Sequence, residues 1–149
     1  MHDNDVFRVN GPQVISENID GEVVLVNLEK GIYYSTDQVG AYLWDLIEAR
    51  RSVQEMRDMI GFRYDADVDQ IGTAVGGFLS ELRQEELIVP TSPEQERNAL
   101  DPSLAEVPAD RLHYRPPALN KYTDMRDLLL LDPIHDVEES GWPVPKPTL

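Results

Sequence analysis

The sequence predicts an α+β fold: a small antiparallel sheet of two to three strands, then three α-helices, then a proline-rich extension. Three observations lead there. Apolar residues recur with period two up to Thr36 and with period 3.6 from Asp37 onward. Asp20-Gly21, a strong two-residue turn signal, sits between two β-rich stretches. Ten of the eleven prolines lie at or after Pro90, which separates a compact front region from a proline-rich rear one.

Each element has its own local reason. Residues 13–18 and 22–28 flank the Asp20-Gly21 turn. Val23, Val24, Leu25 and Val26 are apolar and mostly β-branched, as a buried strand requires. Glu29, Lys30 and Gly31 turn the chain into a third strand, 32–36. Alternation there puts Ile32, Tyr34 and Thr36 on one face, and Tyr33 and Ser35 on the other. Asp37 reads as the N-cap of the first helix. Val39, Tyr42, Leu43, Leu46 and Ile47 form that helix's apolar stripe, with Trp44 off the stripe as a second-layer core residue. Ser52 caps the second helix and Glu55 completes a capping box. Val53, Met56 and Ile60 are its buried side, and Gly61 is expected to stop it. The third helix runs from about residue 67 to 85, with Val68, Ile71, Val75, Phe78, Leu79 and Leu82 as its stripe. Three short helices beside a small sheet make a winged-helix-like arrangement. The expected organisation is a domain over 1–90, a linker over 91–113 and a C-terminal extension over 114–149.

Composition narrows the function. The chain has 149 residues and no cysteine, so disulfides, thiolate metal sites and cysteine nucleophiles are excluded. No apolar run approaches the roughly 18 residues needed to cross a bilayer. The N-terminus, Met-His-Asp-Asn-Asp, lacks the basic and apolar blocks of a signal peptide, so a cytoplasmic address is expected. The net charge is −15. Residues 1–91 carry 7 Lys/Arg against 17 Asp/Glu, and residues 92–149 carry 6 against 11. Neither part offers a basic patch, so nucleic acid and membrane surfaces are not expected partners. His2, His113 and His135 are far apart and show no metal-ligand spacing. No phosphate loop or nucleophile elbow is present. The expectation is no catalytic residue, no metal and no cofactor.

The most informative stretch is Gly31-Ile-Tyr-Tyr-Ser-Thr-Asp37, followed by Val39-Gly40-x-x-Leu43-Trp44-x-Leu46 and a two-helix tail ending in Leu87-Ile-Val89. These residues resemble the PqqD-like family, also called RiPP recognition elements, over about residues 22–89. The resemblance implies a non-catalytic peptide chaperone. It would hold the leader of a ribosomally made precursor peptide while a partner enzyme modifies it. That partner would be a radical-SAM enzyme, a cyclase or a protease. Two positions depart from the family pattern: Thr36 stands where Leu is usual, and Glu86 where Gly is usual. The resemblance further implies that a leader lies between the third strand and the third helix.

The residues themselves offer a site of that kind. If strand 32–36 is a sheet edge, its free N–H and C=O groups can pair with an extended peptide. Ile32, Tyr33, Tyr34 and Ser35 would form that wall, although strand packing also accounts for the two tyrosines. The third helix carries Gly72, Gly76 and Gly77, each costing roughly 1 kcal/mol relative to alanine. Gly72 and Gly76 share one shoulder of the apolar stripe with Asp69 and Arg83. A bare shoulder suits either close packing of another element or the floor of a peptide groove. Exposed edge strands also pair with each other, so a homodimer is open.

The extension carries a second signal. Tyr114-Arg-Pro-Pro117-Ala-Leu119 has the form Tyr-x-x-Pro-x-Leu and resembles the recognition motif in lasso-precursor leaders. The glycine usual after that motif and the threonine before the core peptide are missing. Further on, Leu129, Leu131, Ile134 and Trp142 suit docking on a partner, or packing on the chain's own domain. Two other functions compete with a leader-binding chaperone. One is a fused chaperone and substrate whose tail is itself modified. The other is a winged-helix DNA-binding regulator, opposed by Asp67, Asp69, Glu81 and Glu85 on the would-be reading helix.

Overall fold

The computed structural model describes residues 2–92 and 102–123. Its elements, in chain order, begin with β1 (Val6–Val9), β2 (Val14–Ile19), β3 (Glu22–Asn27) and β4 (Ile32–Asp37). Next come α1 (Val39–Glu48), α2 (Val53–Arg63), β5 (Tyr64–Asp65), α3 (Val68–Gln84) and β6 (Ile88–Thr91). A 3₁₀ turn (Pro102–Ala105), β7 (Leu112–His113) and β8 (Asn120–Tyr122) complete the order. The three helices pack beside an antiparallel sheet of order β2-β3-β4-β8, so the fold is α+β and winged-helix-like as expected. Two smaller pairings add to the expected set: β1 with β6, and β5 with β7.

The turns form where the sequence demands. Asp20 and Gly21 take φ of 53° and 85°, the two positive angles that a two-residue hairpin loop needs. Ile19 then stands opposite Glu22. At the next turn, Asn27 is buried and its side-chain oxygen accepts the N–H groups of Glu29 and Lys30, both at 3.1 Å. These bonds turn the chain from β3 into β4.

Helix starts follow the sequence less evenly. Ser52 and Glu55 form the full capping box of α2, and Asp67 caps α3 by accepting the Gln70 N–H at 2.7 Å. Asp37 does not cap α1. It remains in β4, paired with Glu22, and Gln38 takes the cap position without a side-chain bond. Strand pairing holds Asp37 in the ladder and moves the start of the helix on by one residue. Gly61 does not stop α2, which continues to Arg63. Its bare position faces Ile71 across the α2–α3 contact, where a side-chain carbon would sit 3.8 Å from the Ile71 methyl. Val68 is 83% exposed rather than buried, because the first turn of α3 projects beyond the core.

The ends of α1 and α3 share one geometry. In α3, Leu87 N–H returns to Leu82 O at 3.0 Å and Glu86 N–H to Arg83 O at 2.9 Å. In α1, Arg51 N–H returns to Leu46 O and Arg50 N–H to Ile47 O. Both are Schellman closures, which place one residue in the left-handed region, usually glycine. Here Arg50 and Glu86 occupy it, each at φ 61°.

The core joins all layers. Leu25 and Tyr34 from the sheet meet Leu43, Leu46 and Ile47 of α1, Met56 and Ile60 of α2, and Leu79 and Leu82 of α3. Trp44 is 1% exposed and part of this core. Phe7 of β1 closes the end. Gly40 is the tightest point. A side-chain carbon there would lie 1.8 Å from Thr36 Oγ1 and 3.3 Å from Phe78 Cζ.

Both special backbone positions can be tested by substitution. Gly40→Ala should destabilise the domain by about 1–3 kcal/mol, because the methyl must displace Thr36 or spread α1 from β4; an unchanged urea midpoint would contradict this. Glu86→Gly should raise stability by up to about 1 kcal/mol by relieving the left-handed backbone. The exposed Lys30–Glu86 ion pair lost with it is a small offset. A lowered midpoint would show that the ion pair outweighs the backbone term.

Candidate functional site: an occupied strand edge

One edge of β4 pairs with β3; the other takes a strand from the chain's own extension. β8 runs antiparallel to β4, with Tyr122 opposite Tyr33, Lys121 opposite Tyr34 and Asn120 opposite Ser35. The residues leading into β8 continue along the same face of the domain. Thr36 Oγ1 donates to the Ala118 carbonyl at 2.7 Å, and Leu119 packs against the core. Asn120 Nδ2 donates to Ser35 Oγ at 3.3 Å. Ser35 and Thr36 are both buried.

Tyr114 anchors the start of this segment. It is 9% exposed and stands edge-on to Tyr64, with ring centroids 6.4 Å apart at 76°. Tyr64 in turn meets Tyr42 at 6.1 Å and 66°. The Arg63 guanidinium lies 4.6 Å from the Tyr42 ring centroid. Such edge-to-face and cation–π contacts are worth about 0.5–1.5 kcal/mol each. The Tyr114 hydroxyl is buried without a hydrogen-bond partner among the described residues, and burial raises its pKa. An open cavity beside Tyr114 and Pro116 is lined by Asp67, Gln70, Thr73 and Ala74 of α3.

Glu85, at the end of α3, ties the other end of the segment. Its Oε1 accepts the Tyr34 hydroxyl at 2.9 Å and lies 2.9 Å from Lys121 Nζ. Burial alone would raise the Glu85 carboxyl, but the bonds from Lys121 and Tyr34 outweigh it and hold its pKa below the ordinary 4.5. The Tyr34 phenol moves the opposite way. Burial and its bond to Glu85 push its pKa well above the usual tyrosine range.

Residues 102–113, expected as linker, also lie on the domain. Tyr42 OH donates to Leu104 O at 2.5 Å, Arg63 to Ser103 O at 3.2 Å, and Arg111 to Gly61 O at 3.2 Å. β7 pairs in parallel with β5. These bonds lead the chain from the 3₁₀ turn towards the aromatic contact of Tyr42, Tyr64 and Tyr114.

The structure brings together the expected strand residues and the expected tail motif. Tyr33, Tyr34 and Ser35 pair with β8, while Tyr114 and Leu119 pack against the domain and Pro117 lies between them. Ile32 lies one residue before the paired stretch and is partly buried. The glycine shoulder of α3 is not under this segment. Gly72 opens towards Arg57 of α2, Gly76 faces open space, and Arg83 stands over the Phe7 ring of β1 at 5.6 Å. Asp69 lines both this side and the cavity near Tyr114. An apolar helical stripe has two shoulders, and periodicity does not say which one faces β4. Asp67, Gln70 and Ala74 line the cavity beside Tyr114, and Glu85 reaches Tyr34 of β4. Sequence reasoning missed Tyr42, Tyr64, Glu85 and the role of Thr36. The signal available was one tyrosine in α1, Tyr42, and one directly after α2, Tyr64. Leu129, Leu131, Ile134 and Trp142 lie outside the described residues.

The profile of Coenzyme PQQ synthesis protein D (PqqD) matches residues 22–88. The solved structure of TbiB1 in complex with the TbiA(beta) leader peptide superposes with a TM-score of 0.52. It is 33% identical, over 54% of this chain and 93% of TbiB1. The chain belongs to the PqqD-like family. No curated protein matches the sequence. The PqqD match opens at β3 and closes on the first residue of β6, so β8 lies outside the matched region. The segment that pairs with the edge of this PqqD-like domain thus comes from the extension. Among the described residues, no cluster of three or more His, Asp or Glu is arranged to hold a metal, and no helix is long and apolar enough to cross a membrane.

The Lys121–Glu85 tie should depend on pH. Glu85 has a depressed pKa in the folded chain, so its contribution is full above about pH 4.5. It is lost as pH falls through the lower folded value. Protection of residues 120–122 against amide exchange, relative to the intrinsic rate at each pH, should therefore fall in acid before that of β3. Glu85→Gln should remove this step and speed exchange severalfold at neutral pH. A step that persists in Glu85→Gln would place its origin at another carboxylate.

Proposed function

We propose that the chain binds the leader of a ribosomally made precursor peptide as an added strand on β4 and presents it to a peptide-modifying enzyme. It performs no chemistry itself. The observation that carries this reading is the pairing of β4 with an extended segment whose leading tyrosine packs edge-on against Tyr64. The edge and Tyr64 already hold a peptide of Tyr-x-x-Pro-x-Leu form. Family membership supports the same reading, as does the likeness to TbiB1, whose structure holds a leader peptide.

Main-chain pairing along residues 33–35 supplies affinity with little sequence demand, and the aromatic contact at Tyr64 supplies selectivity. Thr36 adds a donor for a ligand carbonyl, where an apolar residue would offer none. The enzyme served is of the radical-SAM, cyclase or protease kind. The DNA-binding alternative finds no support at α3, where Asp67, Asp69 and Glu81 are all exposed and acidic. A second reading, in which the tail beyond Thr123 is itself the modified substrate, is favoured by the docked segment. A mass shift confined to the C-terminal peptide after co-expression with the neighbouring enzymes would establish it.

The binding reading is tested with a fluorescent leader peptide of Tyr-x-x-Pro-x-Leu form. Measured in the Tyr114→Ser/Lys121→Glu background, which frees the edge of the chain's own segment, Tyr64→Leu keeps the apolar bulk but loses the edge-to-face contact, and should weaken binding about tenfold. Gly76→Leu, on the far shoulder, should leave affinity unchanged. The reverse pattern, with circular dichroism unchanged for both, would move the ligand to the glycine shoulder.

A further inference from the structure

We infer that residues 114–122 are a resident ligand of the chain's own peptide edge, which an incoming leader must displace. This rests on the reading of β4 as the leader-binding edge, and it adds that the resting chain is closed to that leader.

The contact has the character of an exchangeable ligand rather than a permanent strand. The ladder covers three residue pairs. Asn120 and Lys121 are exposed, and beside the packing of Tyr114 and Leu119 the segment is held by side-chain bonds from Ser35 and Glu85 to β8 and from Thr36 to Ala118. Bonds of this type contribute about 0.5–1.5 kcal/mol each, far less than a buried leucine layer. The β4 residues under the segment are hydroxylic. Water can satisfy Ser35 and Thr36 once the segment leaves, whereas an apolar surface there would resist opening. The Tyr114 hydroxyl, buried with no partner among the described residues, regains hydration on release.

Tethering sets how strongly the segment competes. Short flexible connections give effective concentrations in the millimolar range. The contacts of Leu104 and Arg111 with the domain hold the segment near its site. A segment with only micromolar intrinsic affinity would then occupy the edge almost fully. An external leader would bind about a thousandfold more weakly than to an open edge. The displacing partner is thus a peptide of the same chemistry: a tyrosine anchor, a central proline and a further extended stretch. A modifying enzyme that draws residues 114–122 off the edge would have the same effect.

The absence of cysteine allows a direct test in the full chain. The probe is a labelled synthetic peptide with the sequence of residues 114–127. It is titrated against the wild type, against Tyr114→Ser/Lys121→Glu, and against Ser35→Cys/Asn120→Cys. The first variant removes the anchor and places Glu against Glu85. The second allows one intrachain disulfide where Asn120 Nδ2 and Ser35 Oγ are 3.3 Å apart. The opened variant should bind the probe between about ten and a thousand times more tightly than the wild type. The oxidised cysteine variant should not bind, and reductant should restore binding. Equal affinity of the wild type and the opened variant, or unimpaired binding to the oxidised variant, would overturn resident occupancy. Failure of the disulfide to form would overturn it too. If the probe binds none of the folded proteins, the leader-binding reading itself falls.

Discussion

The unpaired edge of a β-strand is the constraint on which this molecule turns. β4 has β3 on one side, and its other side must be hydrated, blocked or paired. The chain pairs it with a strand from its own extension, 85 or more residues further along the sequence at every matched position. β4 is also tied to both of the helices that matter for the site. Thr36 fits over Gly40 at the start of α1, and the Tyr34 hydroxyl reaches Glu85 at the end of α3. Any occupant of the edge therefore touches residues that also hold the helices in place.

Two polar residues, Thr36 and Glu86, show this sharing. Thr36 brings a hydroxyl that both accommodates Gly40 and donates to the Ala118 carbonyl. A leucine would fill the same space without a donor. Glu86 occupies a left-handed position that glycine would take more easily. Its side chain instead meets Lys30 in the turn before β4. In both places a polar side chain links the edge strand to its surroundings where the usual residue would contribute only shape.

Electrostatics point the same way. The chain is strongly acidic, yet the carboxylate nearest the occupied edge has a partner. Lys121 comes from the docked segment and Glu85 from the domain, so a lysine at this position suits the acidic edge. An extended ligand brings its backbone, a tyrosine and a cation. The domain provides a ladder, an aromatic contact and a carboxylate. General negative charge discourages polyanions, while Lys121 and Glu85 attract each other locally.

By itself the sequence determined the local elements and the family. Period two changes to period 3.6 near Asp37, Asp20-Gly21 sets a hairpin, and Ser52 with Glu55 starts α2; these depend on neighbours within a few residues. The Tyr-Tyr-Ser strand and the Tyr-x-x-Pro-x-Leu motif were each legible on their own. Only the tertiary structure decided that they meet, because strand partners far apart in sequence leave no periodic trace. It also decided which shoulder of α3 faces β4. Periodicity fixes the stripe of Ile71, Val75 and Phe78, but its two flanks are equivalent until neighbours pack on them. The glycines Gly72 and Gly76 drew attention to one flank; Tyr34, Glu85 and the docked Tyr114 lie by the other. The pairing of β1 with β6 escaped for a similar reason. Four-residue strands carry too few alternations to show a period, and they form only when the folded core brings Phe7 and Ile88 together.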